Sequence, residues 1–364
     1  MSTSFEQAKA FFLQGLDHYQ GGRFAQAERD FAASLALVPG RASTLTNLGA
    51  ARLKLGRFAE AVSLFDEAIA QEPDNVDAHG QRAAALAELG QLVPALDSVD
   101  RALQLDLARG AAWTLRGSLL RSLGRGEEAV AAFRQALAHG ADSDLIGFYL
   151  ASLTGREPPR QAPRQYVQTL FDSYAEGFQE HLIEVLKYRA PEVLVDGLRR
   201  NGRHFAAALD LGCGTGMCGL LLRALVDRLD GIDLSRNMVE QATATGAYDE
   251  VMQADLVDYL HGTDRRYDLL IAADVFIYVG ALETVFEGVA RILRPGGLFC
   301  FTVEAATDEN DLVLQPSLRY AHSDGYIRKL AEPYGFVIQA TQEHPIRDDQ
   351  GTPIPGLFAW LAKR

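Results

Sequence analysis

The first part of the chain has the hydrophobic spacing of amphipathic helices, and this spacing recurs every 34 residues. Four alanines keep the step: Ala27, Ala61, Ala95 and Ala129. A large apolar residue follows each alanine by four positions, and a glycine precedes three of them by twelve. The pattern predicts four helix–turn–helix units, approximately 8–41, 42–75, 76–109 and 110–143, and a capping helix over 143–154.

The motif Leu45-x-x-Leu48-Gly49, followed by Ala61-x-x-x-Phe65 and Pro73, resembles the tetratricopeptide repeat. The third unit departs most from this pattern, because Ala83 replaces the glycine and Val99 the phenylalanine. The resemblance implies a solenoid whose concave groove binds a protein or peptide. The alternative is that the array only supports or dimerises the rest of the chain. A basic clamp for a terminal carboxylate is not favoured, because the inner helices present residues such as Phe12 and Asp77.

A different pattern begins after residue 155. Residues 156–165 contain three prolines and no apolar run, which predicts a semi-rigid linker. Beyond it, short apolar runs alternate with amphipathic helical segments, as in a doubly wound α/β domain over 166–364. Seven strands are predicted, the last antiparallel: 206–211, 228–232, 251–254, 267–273, 298–303, 336–341 and 358–362. The stretch 304–322 is predicted to be an irregular loop, with His322 solvated.

Three glycines at alternate positions follow the first of these strands. Gly212, Gly214 and Gly216 come directly after Asp210-Leu211, and a helical segment begins at Met217. Because glycine has no Cβ, such a turn is tight and its backbone lets a ligand approach closely. The second strand ends in Asp233, where a carboxylate is placed to accept hydrogen bonds from a ribose diol. The stretch therefore predicts a nucleoside-binding crevice.

Two nucleoside ligands fit this crevice, because Gly214-x-Gly216-x-x-Gly219 also matches the dinucleotide fingerprint. Asp210 favours S-adenosylmethionine, since a carboxylate just before the glycines is placed to meet the ammonium of a methionine group. Asp255-Leu256 follows the third strand, where a carboxylate is placed to bond an adenine amino group. An NAD-dependent oxidoreductase is accordingly the least favoured function.

The ordered set of these motifs, closed by Arg294-Pro-Gly-Gly-Leu298 and two late strands, resembles the class I S-adenosylmethionine-dependent methyltransferases. The motif Phe171-Asp-x-Tyr174-Ala, with Tyr188-Arg-x-Pro191, resembles more closely the bacterial predicted methyltransferases that carry tetratricopeptide repeats. The resemblance implies an all-α tetratricopeptide solenoid (1–155) followed by a Rossmann-like methyltransferase domain (166–364). It also implies direct methyl transfer from S-adenosyl-L-methionine, with no metal and no covalent intermediate.

The resemblance assigns roles to particular residues. Asp210, Gly212, Gly214, Gly216, Asp233, Asp255 and Leu256 are expected to bind the cofactor, together with Tyr174 and Tyr188 of an aromatic lid. Asp274 and Tyr278 follow the fourth strand and are expected at the acceptor end. That strand lacks the Asn-Pro-Pro-aromatic motif of enzymes that methylate planar amides and amines. The acceptor, protein-borne or a small molecule, is left open.

Composition argues against several classes of partner. A net charge of −13 and a pI near 5.1 argue against a dedicated nucleic-acid surface. Cys213, Cys218 and Cys300 show no metal-binding spacing and favour reduced, packed thiols. No signal peptide or membrane-length apolar run is visible, so a cytoplasmic protein without membrane contact is expected. A non-catalytic scaffold that only senses the cofactor is the alternative to an enzyme.

Overall fold

The structure is a computed structural model that describes residues 2–174, 181–200, 202–307, 310–349 and 351–364. Within these ranges, the side chains at positions 2, 3, 173, 174, 181 and 183 lie outside the described part of the structure. The chain divides into two compact units, Met1–Ile146 and Gly147–Arg364.

Helices make up the first unit. They are α1 (Ser2–Gln20), α2 (Phe24–Leu37), α3 (Ala42–Lys54), α4 (Phe58–Gln71), α5 (Val76–Glu88), α6 (Leu92–Leu105), α7 (Gly110–Ser122), α8 (Gly126–Ala138) and the start of α9 (Ser143–Thr154). Consecutive helices pack against one another along the unit, which confirms the predicted all-α repeat array.

One glycine–phenylalanine contact recurs in three of the four helix pairs. A Cβ added at Gly15, Gly49 or Gly117 would lie 2.5–2.7 Å from the ring of the phenylalanine sixteen residues later. Only glycine therefore lets the ring sit between the paired helices. In the third pair, Ala83 and Val99 occupy these two positions and both are fully buried. The residue on one helix is larger than glycine and the residue on the other is smaller than phenylalanine, so the two departures partly compensate each other.

The second unit is built on one mixed sheet. Its strands are β1 (Phe205–Leu211), β2 (Val226–Asp233), β3 (Glu250–Gln253), β4 (Tyr267–Ala272), β5 (Leu293–Ala305), β6 (Leu312–Leu314), β7 (Tyr320–His322), β8 (Phe336–Asp349) and β9 (Thr352–Lys363). The strand order is β3-β2-β1-β4-β5-β7-β6, with β9 pairing β5 and β8. Strands β1 to β5 are mutually parallel, and β9 is antiparallel to β5.

Apolar side chains alternate between the two faces of this sheet. Leu209 and Leu270 belong to one buried cluster, and Ala208 and Leu269 belong to the other. The covering helices are α10 (Arg164–Tyr174), α11 (Ala190–Arg200), α12 (Met217–Leu222), α13 (Arg236–Ala244), α14 (Leu256–Gly262), α15 (Glu283–Ile292) and α16 (Asp324–Ala331). A π-helical turn (His181–Val185) and two 3₁₀ turns (Arg223–Leu225 and Phe276–Tyr278) complete the unit as described.

The predicted α/β class and its antiparallel edge are confirmed, but the described sheet has two strands more than expected. Both lie in the stretch 304–322, which was predicted to be irregular. The solvated position predicted for His322 is wrong: the side chain is fully buried in β7, and its Nε2 bonds the Gly280 carbonyl at 2.7 Å. Strands of three residues leave too short a hydrophobic pattern to be read from sequence.

The last two strands are also longer than predicted, and they form one hairpin. Prolines at 345, 353 and 355 lie in the added residues. Proline lacks an N–H and is tolerated in edge strands, and β8 is such an edge. The register shifts between Pro345 and Arg347, which marks a β-bulge beside Arg347.

Residues 159–162, within the stretch predicted as a linker, lie against the sheet unit. We call them the 159–162 strip. The Ala162 amide donates to the Tyr278 carbonyl at 2.9 Å, and the Ala281 amide donates to the Arg160 carbonyl at 2.8 Å. The Tyr320 hydroxyl donates to the Pro159 carbonyl at 2.8 Å. The strip is therefore held at three points by the segments that follow β4 and start β7.

Candidate functional site

A cavity of about 440 Å³ opens at the carboxyl ends of the parallel strands. It lies where the strand order reverses, between β1 and β4, which is the usual ligand position in open α/β sheets. The predicted site residues that line it are Asp210, Gly212, Gly214, Asp233, Asp255, Leu256, Tyr188, Asp274 and Tyr278. Gly216 instead precedes α12 at the end of the loop. The side chain of Tyr174 lies outside the described part of the chain.

The three glycines of the loop all have positive φ, at 67°, 53° and 92° for Gly212, Gly214 and Gly216. Residues with a Cβ rarely adopt this conformation. At Gly212 a Cβ would in addition lie 2.7 Å from the side chain of Val275. At Gly214 the same Cβ would meet no atom within 4 Å, so its backbone borders open space. The loop therefore exposes main chain on the cavity wall.

Asp233 is held by two backbone amides. One carboxylate oxygen accepts from the Gly214 N–H and the other from the Ser235 N–H, both at 2.9 Å. Because each oxygen has two acceptor positions, one position on each is left for two neighbouring hydroxyl groups. Burial raises the pKa of Asp233 to about 6, while these amide bonds favour the charged form.

Asp210 lies at the end of β1 and is almost fully buried. The Tyr248 hydroxyl donates to it at 2.7 Å and accepts from the Gly219 N–H at 3.1 Å. Burial raises the pKa of Asp210 to about 7, although the bond from Tyr248 works in the opposite direction. A carboxylate in these surroundings gains from a positively charged partner in the cavity.

Tyr248 was not predicted from the sequence as a site residue. The sequence signal related to it is Gly219. In the structure, a Cβ at this position would lie 2.3 Å from the Tyr248 ring. The third glycine of the Gly-x-Gly-x-x-Gly pattern thus makes room for the phenol that bonds Asp210.

Asp255 caps α14 through one carboxylate oxygen, which accepts from the amides of Val257 and Asp258 at 2.9 and 3.1 Å. Its other oxygen pairs with Arg164 at 3.0 Å. Arg164 begins α10 and also lines the cavity. One acceptor position on that second oxygen is left beside the neighbouring Leu256.

The aromatic segment predicted as a lid contributes α10 to the cavity wall. Its Phe171 ring meets Tyr278 edge to face, with 5.5 Å between ring centroids. The Ser235 hydroxyl donates to Asp172 at 2.6 Å, and the Asn237 side chain donates to the Asp172 carbonyl at 2.8 Å. Helix α10 is thereby tied to the start of α13, next to Asp233. Tyr188 also lines the cavity and is buried, and burial keeps its pKa well above the usual value.

A charged triad lies where β4 and β5 end. The Arg347 guanidinium bonds the carboxylates of Asp274 and Glu304, and all three are largely buried. Burial disfavours the arginine charge, but the two carboxylates outweigh it and raise the pKa of Arg347. Asp274 has a φ of 59°, which is strained for a residue with a Cβ and is common at functional sites.

Tyr278 and the cysteines carry their protons in this environment. Burial raises the pKa of Tyr278 to about 12, so the phenol is neutral near pH 7. Burial also raises the pKa of Cys213 and Cys218, which are thus thiols rather than nucleophilic thiolates. Within the described ranges, no three His, Cys, Asp or Glu side chains are grouped to hold a metal ion. The helices described there include none with the length and apolar character needed to span a bilayer.

Comparison with protein families identifies both units. Residues 208–297 match the family described as a methyltransferase domain. Residues 12–75 and 95–144 match one tetratricopeptide-repeat family, and residues 52–119 match a second. The chain thus carries a methyltransferase domain together with tetratricopeptide repeats, as predicted.

The curated relatives match about two fifths of the chain. Malonyl-[acyl-carrier protein] O-methyltransferase of Enterobacter lignolyticus is 30% identical over 143 residues, covering 39% of this chain and 55% of that protein. Methyltransferase-like protein 27 of Homo sapiens is 29% identical over 153 residues, covering 41% and 61%. The chain thus spans little more than half the length of these relatives.

Among solved structures, magnesium protoporphyrin IX methyltransferase from Synechocystis PCC 6803 with bound SAH aligns with a TM-score of 0.45 and 17% identity. The alignment covers 55% of this chain and 99% of that one.

Proposed function

We propose that the second unit binds S-adenosylmethionine and transfers its methyl group to an acceptor. The observation that carries the proposal is Asp233, whose two oxygens accept the Gly214 and Ser235 amides and keep a position each for a ribose diol. Asp233 lies beside a glycine loop of positive φ, which suits a nucleoside. Asp210 adds a second carboxylate to the cavity, which favours S-adenosylmethionine over a nicotinamide dinucleotide because only the former has an ammonium group to pair with it. The methyltransferase-domain match to residues 208–297 supports the same assignment.

Each of the cavity residues is proposed to bind a different part of the cofactor. Asp233 is proposed to hold the ribose, Asp210 the ammonium of the methionine group, and Asp255 with Leu256 the adenine. The loop of Gly212, Gly214 and Gly216 admits the ligand without a Cβ in its path. When bound, the cofactor supplies a methyl group activated by a sulfonium.

The acceptor end holds the proposed catalytic residues, Asp274 and Tyr278. A phenol with a pKa of about 12 does not accept a proton at neutral pH, so Tyr278 is better suited to shape the cavity and donate a hydrogen bond. Asp274 is the better candidate for a base or an acceptor ligand. Lid residues Phe171 and Tyr188 exclude water from the transfer, with Tyr174 proposed beside them.

Calorimetric titration of S-adenosylmethionine into the full chain tests the proposal. Micromolar binding is expected, with NADH binding at least tenfold weaker. Asp233→Ala should weaken binding about tenfold or more, because hydrogen bonds to a charged group contribute roughly 1.5–3 kcal/mol. Asp227→Ala, an exposed carboxylate on the same strand, is the matched control and should bind normally. A folded chain that binds neither ligand, or binds NADH better, would refute the assignment.

We propose further that the repeat array docks a protein partner or a protein-borne acceptor. The Enterobacter lignolyticus relative is named for an acceptor on a carrier protein, which supports an acceptor of that kind here. Crosslinking of the full chain in a lysate, followed by transfer of a radiolabelled methyl group, tests it. We expect labelled protein with the full chain and none when residues 1–146 are deleted. Equal labelling by the full and the shortened chain would count against docking.

The alternative is a scaffold that senses the cofactor without turnover. It draws support from Asp274, whose charge is already engaged by Arg347. Cofactor binding with no labelled product from a lysate would favour it over the enzyme.

A further inference from the structure

The order of strands sets the order of groups along the cavity. From β3 towards β7, the carboxyl ends carry Asp255, Asp233, Asp210, Asp274 and then Glu304. The first three residues belong to the proposed cofactor site, on which the present inference rests. The acceptor must therefore enter at the end of the cavity near β4, β5 and β7. Two arginines line that end, Arg347 and Arg319.

These two arginines differ in how their charge is balanced. Arg347 is 3% exposed and lies between the buried carboxylates of Asp274 and Glu304, so it needs no further anion. Arg319 is 27% exposed, and its ion pair with Asp349 spans 3.8 Å, which is longer than a hydrogen bond. Asp349 is itself 46% exposed and well solvated. Arg319 thus brings a guanidinium to the cavity whose charge is only loosely compensated.

The turn before Arg319 is held in a strained shape. Leu318 has a φ of 66° although it is a bulky residue, and its side chain is buried with Tyr320 and Phe148. The Leu318 amide donates to the Gln315 carbonyl at 2.9 Å, and the Gln315 amide donates to the Arg319 carbonyl at 2.8 Å. Such strain persists where the surroundings impose it, and it is typical of ligand-binding positions. The buried Leu318 therefore fixes the backbone from which Arg319 reaches the cavity.

Tyr278 adds a neutral donor at the same end. Burial raises its pKa to about 12, and the positive charge of Arg319 is one of the influences that oppose this rise. An arginine fork beside a protonated phenol matches the geometry and charge of a planar or tetrahedral oxyanion. A neutral or cationic group would leave the Arg319 charge only loosely compensated by Asp349.

We infer that the methyl acceptor carries an anionic group, a carboxylate or a phosphate, which Arg319 binds at the β7 end of the cavity. Arg319 is then a specificity-determining residue, and the atom to be methylated lies between it and the cofactor. The bound anion need not itself be the nucleophile.

The test compares benzoate with benzamide, which have similar shape and differ in charge, on the full chain with and without saturating S-adenosylhomocysteine. Binding is followed by ligand-observed NMR at low salt, and inorganic phosphate is the third probe. Benzoate or phosphate should bind at least about tenfold tighter than benzamide. Whichever anion binds more tightly assigns the group as carboxylate or phosphate.

Arg319→Gln should abolish this preference while leaving S-adenosylhomocysteine affinity unchanged, and Arg319→Lys should retain part of it because only the charge is kept. Arg328→Gln, which removes an exposed arginine of the same unit, is the control and should behave as wild type. Equal binding of benzoate and benzamide, no binding of either anion, or an undiminished preference in Arg319→Gln would each overturn the inference. Failure to bind S-adenosylhomocysteine would instead refute the proposed function.

Discussion

The Tyr248 hydroxyl donates a 2.7 Å hydrogen bond to Asp210, a residue 38 positions earlier in the chain. The same oxygen accepts the amide of Gly219 at the start of the helix that follows the glycine loop. One phenol thus links the end of β1 to the loop that borders the proposed cofactor site. It also favours the charged form of a carboxylate that burial would otherwise keep protonated.

Replacing Tyr248 by phenylalanine should weaken cofactor binding several-fold at pH 7.5. The ring is kept, so no cavity forms, but the bond that lowers the pKa of Asp210 is lost. The pKa of Asp210 should then rise above about 7, and fewer molecules would carry the charge needed for an ammonium group. Titration calorimetry from pH 6 to pH 9 should show the midpoint of the affinity profile shifted upwards.

Tyr259→Phe is the matched control for this variant. It removes another partly buried phenol, one that bonds Tyr267 at 2.8 Å and does not line the cavity. Both variants should lose about 1 kcal/mol of stability, but only Tyr248→Phe should move the pH profile. An unchanged profile in Tyr248→Phe would show that the phenol is structural alone.

Asp210 should also make the stability of the ligand-free chain depend on pH. Its pKa is about 7 in the folded chain and near 3.8 when unfolded, because burial disfavours the charge. A raised pKa contributes stability that is complete below about pH 4 and is lost as the pH rises through about 7. Relative to Asp210→Asn, wild type should therefore lose stability between about pH 4 and pH 7, by at most about 4 kcal/mol.

Urea denaturation of both chains at several pH values measures this difference in the free energy of unfolding. Because the two chains differ only at Asp210, the contributions of most other titrating groups cancel in the comparison. The same substitution should weaken S-adenosylmethionine binding at pH 8, where wild type carries the charge. A variant that is more stable yet binds less would identify Asp210 as a residue kept for function. Parallel pH profiles for the two chains would contradict the raised pKa.

The parts of the site that are local in the chain could be predicted from the sequence. The glycine loop and Asp233 lie within one strand–turn–helix–strand stretch, where the spacing of residues already implies their proximity. Tyr248 and Arg347 could not be predicted in this way. Tyr248 bonds Asp210, which is 38 residues away in the chain, and Arg347 bonds Asp274, which is 73 residues away. Their positions depend on strand pairing and on a β-bulge, neither of which leaves a periodic signal.

Fold prediction failed at places where local propensity and tertiary pairing disagree. Pro353 and Pro355 disfavour a strand by local propensity, yet they lie in a part of β9 that pairs with β8 alone, because the pairing with β5 ends at Gly356. His322 follows a polar stretch that predicts exposure, yet it is buried because the Gly280 carbonyl satisfies its Nε2. The packing of the 159–162 strip on the sheet unit could not be predicted either. The strip is held through its own backbone groups, which every sequence carries.

The Gly280→Ala substitution tests whether the 159–162 strip supports the cavity. A Cβ at Gly280 would lie 2.7 Å from the Tyr320 ring and 3.1 Å from the Arg160 carbonyl oxygen. The strip must then shift, at a cost of roughly 1–3 kcal/mol. Because Gln161, Ala162 and Arg164 line the cavity, S-adenosylhomocysteine affinity should fall together with the melting temperature.

Gly262→Ala serves as the control, because a Cβ there would meet no atom within 4 Å. It should leave affinity unchanged and alter stability by less than about 1 kcal/mol. Normal affinity in a destabilised Gly280→Ala chain would mean that the strip contributes to folding but not to the site.

The repeat array offers a test of how its third unit tolerates an atypical pair. Gly49→Ala places a Cβ 2.7 Å from the Phe65 ring and should cost roughly 1–3 kcal/mol by overpacking. Phe65→Val alone should cost about 2 kcal/mol or more, since it leaves a cavity. Together the two changes recreate the pair that Ala83 and Val99 form in the third unit, where both side chains are fully buried. The double variant should therefore be more stable than the sum of the two losses predicts, by roughly 0.5–3 kcal/mol.

Denaturant unfolding of the full chain, followed by far-UV circular dichroism, measures this coupling. Gly49→Ala combined with Phe133→Val provides the control, because Phe133 packs on Gly117 in a different helix pair and the two losses should simply add. Coupling in the first combination and additivity in the second would show that a larger residue at the glycine position compensates in part for a smaller one at the phenylalanine position of the same helix pair. Additive losses in both would mean that Ala83 and Val99 are accommodated by neighbours outside the pair, and the array would then distribute its packing between units.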